Sequence, residues 1–388
     1  MPPIQGPRPV LDGRVPPTRT PPRPRLGPGG PRATKGPGVV VALVPAYKEV
    51  DSLQHVLDAL NAQTRPPDRI VVTLDPHKEP ARTAELERIG RGAGAEVRHS
   101  VGNRYKKAGN LNGALAELLP SLSEGDAILV QDADTYLDPR FIEVALAKLL
   151  EGHGAAGGNF RGRGGGGLCG AFQRNEFARY ARDTARKRGK VLCLTGTACL
   201  FRAEALKDVL GARGNGELPA ADGVYDTKVL TEDNELTLAL KHRGWRVVAP
   251  AGATMTTEVM PTWRELARQR LRWKRGALEN LFDYGLTRHT LEGWVRQLVA
   301  LLGTAVSAFY LGALLWFLCS GAGVRIAPFW LLLSAFYAIE RAITVNARGW
   351  RVAAASMLVL PEWCYDLFLQ GVHLRALTET ALRRERTW

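Results

Sequence analysis

Along the chain, short β-branched apolar runs alternate with segments whose apolar residues recur at helical spacing. The run from Val39 to Tyr47 (VVVALVPAY) is apolar throughout, as expected of a parallel strand covered on both faces. A helix is expected from about Asp51 to Gln63, with Leu53, Val56, Leu57 and Leu60 on one side and Asp51 or Ser52 as its cap. Arg69 to Leu74 reads as a second strand and Pro80 to Gly92 as a charged helix. Glu96 to Arg98 then reads as a short strand, Lys107 to Leu119 as a helix and Ala127 to Val130 as a strand. This alternation predicts an α/β layered domain with a mostly parallel sheet. Ligands of such sheets bind at the carboxyl ends of the strands, where Ala46, Asp75 and Asp132 stand. Residues 161–170 (RGRGGGGLCG) read as a mobile loop; no Gly-Lys-Ser/Thr follows, so they are not a P-loop.

The last third changes character. Residues 263–283 form a basic amphipathic pattern (WRELARQRLRWKRGALENLFD). Leu298 to Leu318 is nearly free of charge and long enough to span a bilayer. After a polar turn, Gly321 to Ala327 with Arg325, a second span is expected from Pro328 to Val345, with Glu340 and Arg341 near its end. Val352 to Leu374 is apolar but contains Pro361, Glu362, Asp366 and His373, so it reads as a third span or an interfacial helix. With the catalytic domain in the cytosol, two spans return Arg348 and Arg351 to the inside. A third would carry Arg383, Arg384 and Arg386 outside, against the positive-inside rule. The expectation is a multi-pass protein of the cell membrane with two spans and an interfacial helix. The chain then divides into a Pro/Arg-rich tail (1–38), a catalytic domain (39–258), amphipathic interface helices (259–296), a membrane region (297–375) and a basic tail (376–388).

Composition sharpens this in three ways. Half of the 24 prolines lie in residues 1–38, interleaved with arginines and with Asp12 as the one acid. Such a segment cannot bury enough apolar surface to fold, and it reads as a solvated tail or a lead that touches anionic headgroups. A net charge of +14 suits a polyanionic substrate or an anionic membrane surface. It also suits nucleic acid, but no nucleic-acid motif is present, and none is expected as a partner. The five cysteines have no metal-ligand spacing and read as reduced thiols.

The candidate chemistry lies in three short motifs in fixed order: Gln131-Asp132-Ala133-Asp134, Thr231-Glu232-Asp233 and Gln269-Arg270-Leu271-Arg272-Trp273. Asp132 and Asp134, two apart on an extended segment, can face the same side and hold a Mg2+ or Mn2+ that neutralises a diphosphate; a solvated acidic turn has the same pattern. Asp233, with Glu232 beside it, is the candidate catalytic carboxylate, although acids in the first turn also serve as a plain helix cap. Gln269, Arg272 and Trp273 share a helix face, where the arginine suits phosphate oxygens and the indole a sugar ring; a helix lying on headgroups also uses both types. Lys107 at a helix start suits an anionic diphosphate, or is an ordinary surface lysine.

Taken together, these motifs resemble the membrane-bound, inverting family 2 glycosyltransferases, which include cellulose, chitin, hyaluronan and poly-N-acetylglucosamine synthases. The resemblance covers roughly residues 38 to 375. It implies a GT-A-like nucleotide-sugar domain, followed by amphipathic interface helices and C-terminal transmembrane helices. By resemblance, Pro45, Ala46, Tyr47, Glu49 and Asp75 lie against the base and ribose. Lys107, Asp132, Asp134, Gln269, Arg272 and Trp273 bind the rest of the nucleotide-sugar, with Asp134 the direct metal ligand and Asp132 helping to place the nucleotide. Asp233 is the general base, and Thr195, Gly196, Thr197 and Trp273 meet the acceptor. The expected partners are a UDP-sugar, with UDP-N-acetylglucosamine favoured, a β-linked polysaccharide acceptor and the membrane. Two helices cannot line a polymer channel, which leaves three alternatives: a homo-oligomer, a membrane partner subunit, or no translocation of the polymer. The rival expectation is a non-processive transferase adding one or a few sugars to a lipid or other acceptor, and a third is a non-catalytic membrane scaffold.

Overall fold

The computed structural model describes residues 38–320 and 328–385. The expected tail, up to residue 37, the turn around Arg325 and Arg386 lie outside the described residues. The N-terminal half follows the sequence pattern closely: β1 (Val40–Ala46), α1 (Val50–Asn61), β2 (Arg69–Leu74), α2 (Pro80–Gly92), β3 (Glu96–His99), α3 (Lys106–Leu118) and β4 (Ala127–Gln131). After these come β5 (Tyr136–Leu137), α4 (Phe141–Leu150), β6 (Ala155–Gly157), β7 (Asn159–Gly162), α5 (Gly167–Arg186), β8 (Ala198–Arg202) and α6 (Ala203–Gly214). The domain closes with α7 (Glu232–His242), β9 (Val247–Val248) and β10 (Thr254–Thr257).

The main sheet has seven strands in the order β3-β2-β1-β4-β8-β6-β9. Pairing is parallel from β3 to β4 and between β6 and β9, and β8 alone runs antiparallel to its neighbours. β1 is apolar at every position because both faces are covered. Val40, Ala42 and Val44 join one core with α1 and α4, while Val41 and Leu43 join another with α3, α6 and α7. A small second sheet, β5-β10-β7, lies beyond the end of β4.

Two local expectations are corrected. α1 is not capped by Asp51 or Ser52, which lie within its first turn; its N-cap is Glu49. The Ser52 hydroxyl instead donates to the Ala133 carbonyl at 2.8 Å, and the Glu49 carboxylate accepts the N–H groups of Tyr47 and Lys48. The glycine-rich stretch is also mostly ordered structure. β7 pairs in parallel with β10 through Gly162, and α5 begins at Gly167, so only a short turn remains.

Beyond the sheet, α8 (Trp263–Tyr284) is the basic amphipathic helix, opened by the N-cap Thr262, whose hydroxyl accepts the Glu265 N–H and donates to the Glu265 carboxylate. It lies against α7. α9 (Leu291–Cys319), α10 (Pro328–Val345), α11 (Trp350–Ser356) and α12 (Val359–Ala381) follow. Among the described residues, α9 is the one single helix long and apolar enough to cross a membrane; α11 and α12 pass the same criterion only together and are bent by 74° at their junction. The third apolar stretch is thus a broken element, and α12 packs along α8. Leu298 to Leu318 lies wholly within α9, which starts at Leu291 and so runs across the boundary expected at residue 297.

Candidate active site

The first two motifs meet at the carboxyl end of β4, and of the third motif Arg272 comes near Lys106 beside them. Asp132 leaves β4 with its N–H bonded to the Thr197 carbonyl at 2.8 Å, so the Thr195-Gly196-Thr197 turn is tied to the DAD segment. The Gly196 N–H donates to Asp233 Oδ2 at 2.8 Å, and Asp233 Oδ1 accepts the Asn234 N–H at 2.8 Å. A Cβ on residue 196 would sit 3.1 Å from Asp233 Oδ2, so any larger residue there makes the carboxylate give by a few tenths of an ångström. Gly196 thereby links two acidic motifs that stand about a hundred residues apart.

Lys107, on the first turn of α3, is at the centre. Its ammonium pairs with Asp132, donates to the Gly196 carbonyl at 2.8 Å and lies 3.9 Å from Glu232. Burial alone would lower Lys107, yet Asp132 and Glu232 carry it above its usual value. Burial, reinforced by Asp134 and Glu232, pushes the Asp132 carboxyl up to about 7 in spite of its lysine partner. Asp233 is also raised, by burial first and then by Glu232, against the pull of Lys107 and the two N–H donors. Burial is the first cause for both carboxyls, and the crowding of Asp132, Asp134, Glu232 and Asp233 around one ammonium adds to it while holding Lys107 charged.

That excess of carboxylate oxygen is a suitable donor set for a hard divalent cation. No group of three or more His, Cys, Asp or Glu side chains forms a metal cage among the described residues. An ion held by one or two carboxylates and completed by substrate phosphates needs none, so the residues present fit Mg2+ or Mn2+. Asp134 is fixed from the glycine-rich side: Arg163 donates to its carbonyl at 3.0 Å and stacks over Tyr136 at 4.2 Å.

At the sheet's open edge, Asp75 accepts bonds from Ser100 and from Asn103, the latter at 2.8 Å. Tyr47 faces His77 with ring centroids 4.8 Å apart, and Pro45 and Ala46 end β1 beside them. Ser100, Asn103 and His77 carried no motif in the sequence, and only their contacts with Asp75 and Tyr47 place them here.

α8 completes the cleft. Arg272 is exposed and close enough to Lys106 that, after burial, its charge helps push that ammonium down. The residue stacked on Trp273 is Arg270, with its guanidinium 4.3 Å from the indole centroid. Arg270 is 3% exposed; it donates to the side-chain amide oxygen of Gln269 and to the Glu176 carboxylate at 3.0 Å. Glu176 and Arg270 carry no assigned role in the motifs read from the sequence. α8 is latched to the Thr231-Glu232-Asp233 motif by Asn280, which donates to the Thr231 carbonyl at 3.2 Å and to Asn234 at 2.9 Å. Gly276 permits this approach, since a Cβ there would lie 2.5 Å from Thr231 Oγ1. A glycine inside a strong helical pattern was the available signal for that contact.

A mostly parallel sheet with carboxylates at the end of β4 and a helix of basic and aromatic residues across the cleft defines a GT-A-like fold. Consistent with this, the solved mannosyltransferase from Pyrobaculum calidifontis, in complex with GDP-Man and Mn2+, superposes with a TM-score of 0.58 at 17% identity, covering 90% of this chain and 89% of that one. At that identity the likeness concerns the fold. The chain belongs to glycosyltransferase family 2: the family described as glycosyltransferase like family 2 matches residues 37–276. It is 25% identical over 284 residues to the poly-beta-1,6-N-acetyl-D-glucosamine synthase of Staphylococcus aureus, an alignment that takes in 70% of this chain and spans 64% of that relative's length. It is 32% identical over 170 residues to a chitin synthase of Caenorhabditis elegans, covering 42% of this chain and 10% of that protein.

Proposed function

We propose that the protein is a membrane-anchored, inverting glycosyltransferase that transfers a sugar from a UDP-sugar, with UDP-N-acetylglucosamine favoured, to a growing β-linked polysaccharide on the cytosolic side. The observation that carries this is Asp233: a carboxylate oriented by two backbone N–H groups, raised above its usual value, within a cluster that also holds Asp132, Glu232 and Lys107. Such a group is a base poised to take a proton. The relatedness to the staphylococcal and nematode synthases supports the polymer and the donor. The long apolar α9 supports the membrane anchor.

In this reading the acceptor hydroxyl approaches the anomeric carbon from the side of Asp233. As its oxygen forms the new bond, its proton passes to the Asp233 carboxylate and the bond to the diphosphate breaks on the opposite face, which inverts the configuration. Asp134, with Asp132, would hold Mg2+ or Mn2+, which supplies charge neutralisation for the departing diphosphate. Arg272 steadies the leaving UDP, Trp273 supports the acceptor ring, and Tyr47 and Asp75 receive the base and ribose. Lys107 keeps Asp132, Glu232 and the Gly196 carbonyl in register, so that the metal-binding and base-bearing segments stay at fixed separation.

The test is UDP release by purified protein in detergent with Mn2+ or Mg2+, across a panel of UDP-sugars, with the product sized. Long polymer from one donor, sensitive to a β-specific glycosidase, is expected. Single additions to a lipid or other acceptor would replace the polymerising reading with a non-processive one. Absence of release from every donor would refute the assignment.

A further inference from the structure

The indole assigned above to the acceptor is held from behind by a chain of contacts that leaves the catalytic domain. Arg270 covers Trp273 at 4.3 Å and is itself buried. Its guanidinium is aimed by Glu176 Oε2 of α5 at 3.0 Å. That same oxygen accepts the Tyr365 hydroxyl at 2.6 Å. Tyr365 comes from α12, beyond the stretch that matches the family, and is 1% exposed. Its ring is stacked on Phe172 of α5, with centroids 5.0 Å apart and planes within 8°.

Three helices therefore meet at one carboxylate oxygen. Around it the packing is tight: Phe172, Leu266 and Tyr365 form one buried cluster, against which Met260 and Phe368 pack. Gln173 fixes the approach to α8 by bonding Met260 in both directions, donating to its carbonyl at 2.8 Å and accepting its N–H at 2.9 Å. One turn before Tyr365, Glu362 pairs with Arg179 at 3.1 Å and accepts from Asn175 at 3.0 Å. α12 is thus registered on α5 at successive turns, and Tyr365 is the position from which the register passes to α8. A buried guanidinium has few alternative partners, so where Glu176 points decides where Arg270 lies, and with it the face of Trp273.

We propose that Tyr365, acting through Glu176 and Arg270, is a positioning residue for Trp273, so that the C-terminal helix α12 sets the geometry of the acceptor subsite. This rests on the acceptor role assigned to Trp273 in the preceding reading. A consequence is that α12 is part of the working enzyme, and that a shift of α12 against α5 changes acceptor binding more than donor binding.

The experiment uses the full chain in detergent with the variants Tyr365→Phe, which retains the stacked ring and removes one hydroxyl, and Glu176→Gln. Acceptor KM, donor KM and acceptor-independent UDP release are measured for each. Tyr365→Phe is expected to raise acceptor KM roughly 2- to 10-fold, the equivalent of one hydrogen bond. Glu176→Gln is expected to raise it by up to about 100-fold, the cost of taking the charged partner from a buried guanidinium. Donor KM changes by less than acceptor KM, and acceptor-independent release stays within about twofold, under about 0.5 kcal/mol. Unchanged acceptor KM in both variants, or a parallel fall on the donor side, overturns the proposal. A second readout needs no turnover: the emission of Trp273, taken as the difference between the chain and its Trp273→Phe variant, shifts when Tyr365→Phe is added. No shift in that difference also overturns the proposal. If no donor gives UDP release, the proposed function fails, and the emission difference still decides whether the contacts from α12 reach Trp273.

Discussion

Replacing Asp233 by asparagine separates chemistry from folding more cleanly than any other change at the site. The side chain keeps its shape, and its one amide oxygen can serve only one of the two N–H groups, of Gly196 and Asn234, that the carboxylate now accepts. The other N–H loses its acceptor, at a cost of about 1–3 kcal/mol. Against this, the substitution removes a charge that burial and Glu232 already disfavour, as the raised Asp233 shows. The two effects oppose, and the net change in stability is expected to be within about 1 kcal/mol, the scale of an ordinary substitution. The catalytic loss is of another order. An amide cannot take the acceptor's proton, and removing a general base costs about 100- to 10,000-fold in rate. That is about 3–5 kcal/mol on the barrier. The assay is UDP release at saturating donor and acceptor, with thermal unfolding and donor binding measured on the same preparation. A kcat within about threefold of the unmodified protein, far short of a lost base, would refute the assignment of Asp233. So would loss of donor binding accompanied by a large fall in Tm, which would make Asp233 a structural cap of α7.

Further outcomes follow from Asp233 and from other contacts. Gly196→Ala brings a Cβ to 3.1 Å from Asp233 Oδ2, so the carboxylate must give by a few tenths of an ångström; kcat falls while Tm changes little, as checked by UDP release and calorimetry. The kcat/KM of the unmodified protein falls with falling pH through a value above the ordinary 3.8 of aspartate, because protonated Asp233 is not a base; a limb at or below 3.8 in a pH–rate profile contradicts this. The same raised value means that the folded state holds this proton more tightly than the unfolded one, so the Asp233 contribution to stability declines as pH rises past the unfolded value towards the folded one. Arg213→Met strands Glu235, whose carboxylate is buried with Arg213 at 2.6 Å and Tyr284 at 2.6 Å, and is expected to cost about 3–5 kcal/mol in denaturant unfolding. Chelation of divalent metal abolishes UDP release and Mn2+ or Mg2+ restores it, whereas activity persisting in excess chelator contradicts the metal role of Asp134 and Asp132.

The stretch from Val39 to Gln131 was largely legible because its signals are local. β1 and β2 are apolar runs bounded by turns, α1 and α2 carry helical spacing, and the structure's boundaries fall within a few residues of those expected. The motif residues were legible as types, but their partners were not. Ser52 had the composition of a cap and turned instead to the Ala133 carbonyl, because the end of β4 lies beside it in space. The glycines of residues 161–170 suggested mobility, yet Gly162 sits in a strand held by β10, and the pairing partner is far along the chain. In Gln269-Arg270-Leu271-Arg272-Trp273 the arginines are alike in sequence. Burial against Glu176 assigns Arg270 to the indole and leaves Arg272 exposed to the cleft.

By itself, then, the sequence determined the layered α/β architecture, the strand ends that carry the carboxylates and the order of the acidic and aromatic motifs. These depend on periodicity and residue type within short windows, which the covalent chain fixes directly. The tertiary structure alone decided that one ammonium, Lys107, would stand among Asp132, Glu232 and the Gly196 carbonyl, that Gly276 and Asn280 would bring α8 onto α7, and that Tyr365 of α12 would share the Glu176 carboxylate with Arg270. Those are meetings of side chains from distant parts of the chain. Their geometry, and the shifts in proton affinity that follow from it, exist only once the cores on both faces of the sheet have closed and excluded water.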